Sequence, residues 1–88
     1  MKQQLILTTK IWKEGKYYIA YTPELEVASQ GKNQEEAEKR LKEAVNLVLE
    51  TAKKMGTLKQ LFQESGFVKQ EQKWRSPAIL ISSLEVNV

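Results

Sequence analysis

The sequence of 88 residues contains no cysteine, no histidine and no aspartate, and all eleven of its acidic residues are glutamates. Without cysteine there is no disulfide framework, no thiolate metal ligand and no cysteine nucleophile. Without histidine the commonest general base is missing. Two-metal phosphodiester hydrolysis needs carboxylates that converge on the cations, whereas these glutamates are scattered. We therefore expect a protein that is not an enzyme and that uses no metal or other cofactor.

Long apolar runs are also missing. The run Leu5-Ile6-Leu7 is too short for the core of a signal peptide, and nothing approaches the roughly 18 apolar residues that span a bilayer. We expect a cytoplasmic protein with no membrane partner. The length fits one small domain, residues 1–88, and a domain this small often gains stability by self-association. The net charge of +3 permits a nucleic-acid partner without requiring one.

Three strands are predicted in the first third of the chain. Residues 4–13 alternate in polarity and are rich in β-branched and aromatic side chains, which is typical of a strand. Glu14-Gly15-Lys16 favours a tight turn, after which Tyr17–Thr22 pairs antiparallel with the first strand. Pro23 ends the second strand because it has no backbone N–H to donate. Leu25–Ser29 is the third strand of this meander.

A long helix is predicted after Gly31. Asn33 is a favourable N-cap, Glu36 stands three residues later as in a capping box, and Gly56 is suited to the C-terminal cap. Apolar residues recur at three- and four-residue spacing and form one stripe: Ala37, Leu41, Ala44, Val45, Val48, Ala52 and Met55. The opposite face carries glutamates four residues before cations, as in Glu36–Arg40, which supports a helix.

The remainder of the chain predicts a short helix and a last strand. The short helix is marked by three apolar residues, a capping threonine and a terminal glycine: Leu58, Leu61, Phe62, Thr57 and Gly66. Phe67–Ser76 is polar and basic and fits either a loop or a ragged strand. Pro77 introduces Ala78–Val86, a final strand expected to pair with the first in parallel.

The predicted order is therefore β-β-β-α-α-β, in the α+β class. A three-stranded antiparallel meander carries a long and a short helix on one face, and the final strand is added to the sheet.

Four short motifs follow one another between Thr22 and Val45. They are Pro23-Glu24-Leu25, Ser29-Gln30-Gly31, Glu35-Glu36-Ala37 and Glu43-Ala44. Their order and spacing resemble the HicB family of antitoxin-like proteins, in which a Pro-acid-Leu turn precedes a short strand ending in Ser/Thr-Gln-Gly and a helix starting near Glu-Glu-Ala. The resemblance covers residues 5–55 well and the final strand loosely.

This resemblance implies a partial ribonuclease-H-like fold, dimers or higher oligomers, and binding of a small RNA-cleaving toxin of the HicA type. Many members add a C-terminal DNA-binding module; no segment follows the predicted last strand to form one, so we expect no DNA binding. The motif residues are expected to define the fold rather than an active site: Pro23, Leu25, Gln30, Gly31, Glu36, Ala37, Glu43 and Ala44.

The predicted strands are apolar on both sides. Helices on one face cover only one set of these side chains, and the other set would form an exposed apolar patch of the kind that marks an interaction surface. The candidate interface residues are Ile6, Trp12, Ile79 and Ile81. We therefore expect a non-catalytic protein-binding domain that forms a homodimer or tetramer, either neutralising a HicA-like toxin or acting as a solitary interaction module.

The alternative is a small module that binds RNA or another single-stranded nucleic acid. Aromatic and basic residues are mixed in two places, and aromatic side chains beside cations can stack on unpaired bases. The residues concerned are Trp12, Lys13, Lys16, Tyr17 and Tyr18, and then Lys73, Trp74 and Arg75. The competing interpretation is structural, with an amphipathic hairpin in the first place and Trp74 covering the edge of the core in the second.

Overall fold

The computed structural model describes residues 4–70, 73–75 and 82–87. Its elements are β1 (Gln4–Ile6), β2 (Lys10–Glu14), β3 (Tyr17–Thr22), β4 (Val27–Gly31), α1 (Gln34–Met55), α2 (Leu58–Glu64), β5 (Val68–Gln70) and β6 (Lys73–Arg75). The α+β class and the antiparallel meander predicted from the sequence are confirmed. Within the described ranges, neither helix is apolar enough over its length to cross a membrane.

The meander is the sheet β2-β3-β4, and both of its pairings are antiparallel. The predicted first strand, residues 4–13, is wrong as a single element, because residues 7–9 form no strand and separate β1 from β2. The third strand begins two residues later than predicted. Leu25 belongs to a four-residue turn, residues 23–26, that starts at the strand-ending Pro23.

Helix α1 packs on the sheet through the predicted apolar stripe. Its buried residues are Ala37, Leu41, Val45 and Ala52. Met55 was predicted on this stripe, but it is 69% exposed in the last turn of the helix. Both predicted caps are confirmed: the Asn33 side chain accepts a hydrogen bond from the Glu36 N–H at 2.8 Å, and Gly56 adopts the left-handed conformation with φ 72°.

The start of α1 lies unusually close to the end of β4. A Cβ atom added to Gly31 would be 2.5 Å from the backbone nitrogen of Ala37 and 2.9 Å from two atoms of Glu36. Ala37 is fully buried at this contact, and the Ser29 hydroxyl donates a hydrogen bond to its carbonyl oxygen at 2.8 Å. Gly31 and Ala37 are therefore required by close packing between the strand and the helix.

Helix α2 forms a second small core with the start of β5. The rings of Phe62 and Phe67 meet edge to face with their centroids 5.6 Å apart, and both are buried. Thr57 is the N-cap residue of α2, but its side chain makes no cap hydrogen bond. Its hydroxyl instead donates to the carbonyl oxygen of Ala52 at 3.4 Å, so it links the two helices.

The first strand has a parallel partner, but among the described residues this partner does not come from the predicted last strand. That partner is β6, whose Lys73, Trp74 and Arg75 pair with Gln4, Leu5 and Ile6, and β5 then pairs antiparallel with β6. The segment that fits either a loop or a ragged strand thus contains two short strands. The prediction of a strand at Ala78–Val86 is wrong over residues 82–86, which have no regular structure, and residues 78–81 lie outside the described residues.

Candidate protein-binding surface

The register of the antiparallel sheet assigns its side chains to two faces. Opposed residues share a face, and side chains alternate along a strand. Ala20 and Thr22 are buried on the face toward α1, where Ile11, Tyr18 and Val27 also pack on the core. The pairs Trp12–Ile19, Lys10–Tyr21 and Glu14–Tyr17 therefore lie on the opposite face.

We call this opposite surface the outer face and define it by Trp12, Tyr17, Ile19 and Tyr21. None of the four belongs to either buried core cluster. Trp12 is 41% exposed and Tyr17 is 45% exposed, and Ile19 and Tyr21 are half-buried. The Trp12 and Tyr21 rings meet edge to face at 6.5 Å, an arrangement that stabilises large aromatic side chains against each other.

The charges on the outer face nearly cancel. Lys10 lies opposite Tyr21 at one end of the β2–β3 pair, and Glu14 lies opposite Tyr17 at the other. One cation and one anion flank the aromatic residues, so this surface carries no strong field of either sign. An aromatic centre with few charges is typical of the core of a protein–protein interface.

The four candidate interface residues have different positions. Trp12 lies on the outer face, and Ile6 is 40% exposed at the end of β1, in the other sheet. Ile79 and Ile81 lie outside the described residues. The described part of the predicted interface is thus divided between two sheets. Tyr17 and Tyr21 lie on the same face of the sheet as Trp12, but they were not among the predicted interface residues.

The mixture of aromatic and basic residues in the hairpin is also divided. Lys13 lies opposite Tyr18 on the face toward the helix, and its ammonium group is 5.9 Å from the centre of the Tyr18 ring. Trp12 and Tyr17 point to the other side, and Lys16 is in the turn. The residues that alternate in sequence therefore do not form one continuous basic and aromatic surface.

The motif residues of the helix start form a connected structural unit. The Glu36 carboxylate accepts a hydrogen bond from the Lys32 N–H at 3.3 Å and pairs with Arg40 at 3.1 Å. Arg40 also donates to the carbonyl oxygen of Gln30 at 3.2 Å, which ties α1 to β4. Further along α1, Glu43 is exposed and Ala44 is half-buried.

The remaining motif residues surround a carboxylate that the sequence did not single out. Glu24, between the half-buried Pro23 and Leu25, accepts hydrogen bonds from the Thr8 N–H at 3.1 and 3.2 Å and from the Thr22 hydroxyl at 3.1 Å. Burial raises the pKa of Glu24, but hydrogen bonds from Thr8, from its own backbone and from Thr22 outweigh burial and hold that pKa below its ordinary value. Glu24 thus fixes residues 7–9 against the turn. Sixteen residues separate Glu24 from Thr8, so no local pattern could predict the contact.

Two depressions border this unit. A pocket of about 560 Å³ between the turn and α2 is lined by Glu24, Glu26 and Glu64, with Pro23, Leu25, Leu61 and Ser65. Among the residues that the structure describes, no group of three carboxylates is arranged to hold a metal ion. A groove of about 440 Å³ runs between α1 and the start of the chain, and it is mainly apolar.

Comparison of the chain with protein-family models, with curated proteins and with solved structures gives no match. The resemblance to the HicB family therefore remains a prediction from the motifs.

Proposed function

We propose that the chain is a non-catalytic protein-binding domain that self-associates through the outer face, and that its further partner is a small RNA-cleaving toxin of the HicA type. The observation that carries the first part is the aromatic surface of Trp12, Tyr17, Ile19 and Tyr21, which neither described helix covers. Packing two such faces together would remove them from water in both copies.

The toxin partner rests on the HicB-like motifs. Supporting it, the motifs occupy one continuous unit of turn, strand and helix start, in which Gly31, Ala37 and Glu36 make specific contacts. A domain of this family would neutralise the toxin by covering its active surface.

The protein to test is the product of the reading frame beside this gene. The proposal predicts a short basic protein that arrests growth when expressed alone and cleaves RNA when purified. Adding equimolar amounts of this chain should stop the cleavage. If the neighbouring product has no ribonuclease activity, or if its activity is unchanged by excess of this chain, the toxin part of the proposal is wrong.

Self-association through the outer face is tested with Trp12→Lys. The substitution places a second cation beside Lys10 on both copies, so an interface formed by two outer faces should dissociate at micromolar concentration. Leu47→Lys is the matched control, because Leu47 is 67% exposed on α1 and lies away from the sheet. Analytical ultracentrifugation should show a lower mass for Trp12→Lys than for Leu47→Lys, and circular dichroism should show unchanged helix content in both.

Exposed Trp12 and Tyr17 also favour the second candidate, binding of single-stranded nucleic acid, because aromatic rings stack on unpaired bases. The dependence of binding on salt concentration distinguishes the two functions. Phosphate contacts weaken steeply as salt is raised, whereas an apolar protein interface changes little. Binding of a labelled oligonucleotide that is tight at 50 mM salt, about tenfold or more weaker at 200 mM, and lost in Trp12→Lys would put this function first.

A further inference from the structure

The groove between α1 and the start of the chain has an apolar floor. On one side it is lined by Leu5, Leu7, Thr9 and Thr22, and on the other by Leu41, Val45 and Leu49, with Glu38, Lys42 and Asn46 along the rim of α1. Leu41 and Val45 belong to the main buried core, and Leu7 and Leu49 pack against it. Apolar side chains that entered the groove would therefore extend the existing core.

Residues 82–87 carry apolar side chains that the described part of the chain does not cover. Residues 82–87 have no regular structure and are all exposed. Leu84 is 88% exposed and Val86 is 66% exposed. Leu84 and Val86 are two positions apart, so they point to the same side when the segment is extended, and Glu85 between them points to the other. An extended segment of this kind presents an apolar side to a groove and a charge to water.

Residues 82–87 do not occupy the groove of their own chain. None of the described residues that line the groove comes from this segment.

We infer that the groove is the docking site for residues 82–87 of a second copy of this chain, and that two copies exchange these segments. Exchange of a segment between identical chains needs no new surface, because each copy supplies both the segment and the groove. The inference rests on the proposed self-association and adds a second contact between the copies. A mutation can abolish this contact without affecting the outer face.

Cross-linking tests the exchange directly, because the chain has no cysteine and only introduced thiols can react. One population carries Asn46→Cys at the groove rim together with a size tag, and the other carries Leu84→Cys. After mixing and mild oxidation, the tagged and untagged chains should be joined. A docked thiol has an effective concentration in the millimolar range, so at micromolar protein the disulfide should form about a hundredfold faster than by random collision.

Leu47→Cys replaces Asn46→Cys in the matched control. Leu47 is the next residue of α1 and is exposed, but it does not line the groove. Its disulfide with Leu84→Cys should form only at the random rate. Equal rates for Asn46→Cys and Leu47→Cys would overturn the inference.

A chain carrying both Asn46→Cys and Leu84→Cys identifies whose segment docks. Dimers joined by disulfides are expected, whereas a monomer closed on itself would show that the segment docks in its own groove and would refute exchange between copies. Repeating the mixed experiment with Trp12→Lys in both chains separates the two contacts. Retained cross-linking in that variant would show that the segment exchange survives even where association through the outer face does not.

Discussion

Gly31→Ala should be the most destabilising single-methyl change in the described part of the chain. Its φ angle is not in the left-handed region, so backbone strain is not the reason. The new Cβ atom would be 2.5 Å from the backbone nitrogen of Ala37, where ordinary contact begins at 3.4 Å. A backbone atom cannot swing aside as the end of a flexible side chain can, and α1 must therefore move away from β4.

The expected decrease in the free energy of unfolding has two parts. Overpacking of a close contact costs about 1–3 kcal/mol. Moving α1 by the missing distance would also stretch the 2.8 Å hydrogen bond from Ser29 to Ala37, whose loss adds about 1 kcal/mol. The free energy of unfolding should fall by about 2–4 kcal/mol in total, which is a large share of the stability of a domain this small.

Gly15→Ala is the matched control. Gly15 has a φ of 61° and nothing within 4 Å of an added Cβ atom, so this substitution introduces backbone strain without crowding and should cost about 1–2 kcal/mol. Urea denaturation of both variants at one protein concentration, followed by circular dichroism, measures the difference. A Gly31→Ala variant that is no less stable than Gly15→Ala would refute the close approach of α1 to β4.

Three other changes have defined outcomes. Glu24→Gln should lower the free energy of unfolding by about 1–2 kcal/mol at pH 7, because it removes a hydrogen-bonded carboxylate. The folded pKa of Glu24 lies below its ordinary value of 4.5, so this stabilisation is complete above that pH and is lost as the pH falls through the folded pKa. The difference in stability between Glu24→Gln and the parent should therefore disappear in acid. Asn33→Ala should cost about 1 kcal/mol in urea denaturation, because the Glu36 N–H loses its cap, and an unchanged midpoint would show that water caps the helix equally well. Adding Mg²⁺ or Mn²⁺ should neither raise the melting temperature nor start cleavage of an RNA–DNA hybrid, and metal-dependent cleavage lost in Glu26→Gln would put an enzyme first.

Local patterns predicted the helices and the meander well. The bounds of α1 follow from Asn33, Gly56 and a stripe at helical spacing, and all of these act within a few residues of one another. The β2–β3 hairpin follows equally from Gly15 and alternating polarity. In each case, the residues whose interactions form the element belong to that element and are close to one another in sequence.

Contacts between distant residues explain the errors. The break at residues 7–9 is accompanied by the Thr8–Glu24 hydrogen bonds across sixteen residues. The short strand β6 gains its pairing from β1, about seventy positions away in the chain, and its own residues Lys73 and Arg75 give little strand signal. At the other end of the chain, the apolar alternation that predicted a strand through Leu84 and Val86 is not matched by any strand pairing of those residues within the described chain.

The outer face was only partly predictable. Trp12 was identified because it is a large apolar residue in an amphipathic strand. Its grouping with Tyr17, Ile19 and Tyr21 depends on the register of β2 against β3, which the turn at Gly15 determines. The mixture of aromatic and basic residues in the sequence suggested one continuous surface. The same register places these residues on two opposite faces of the sheet.

The central claim is that this chain is a self-associating protein-binding domain, and its mass in solution tests that claim most directly. Sedimentation equilibrium from about 1 to 100 μM chain spans the range in which a standard interface assembles. The account predicts a mass of two or four times 10.2 kDa, which falls in Trp12→Lys but not in Leu47→Lys. A parent chain that remains at 10.2 kDa over the whole range would contradict it.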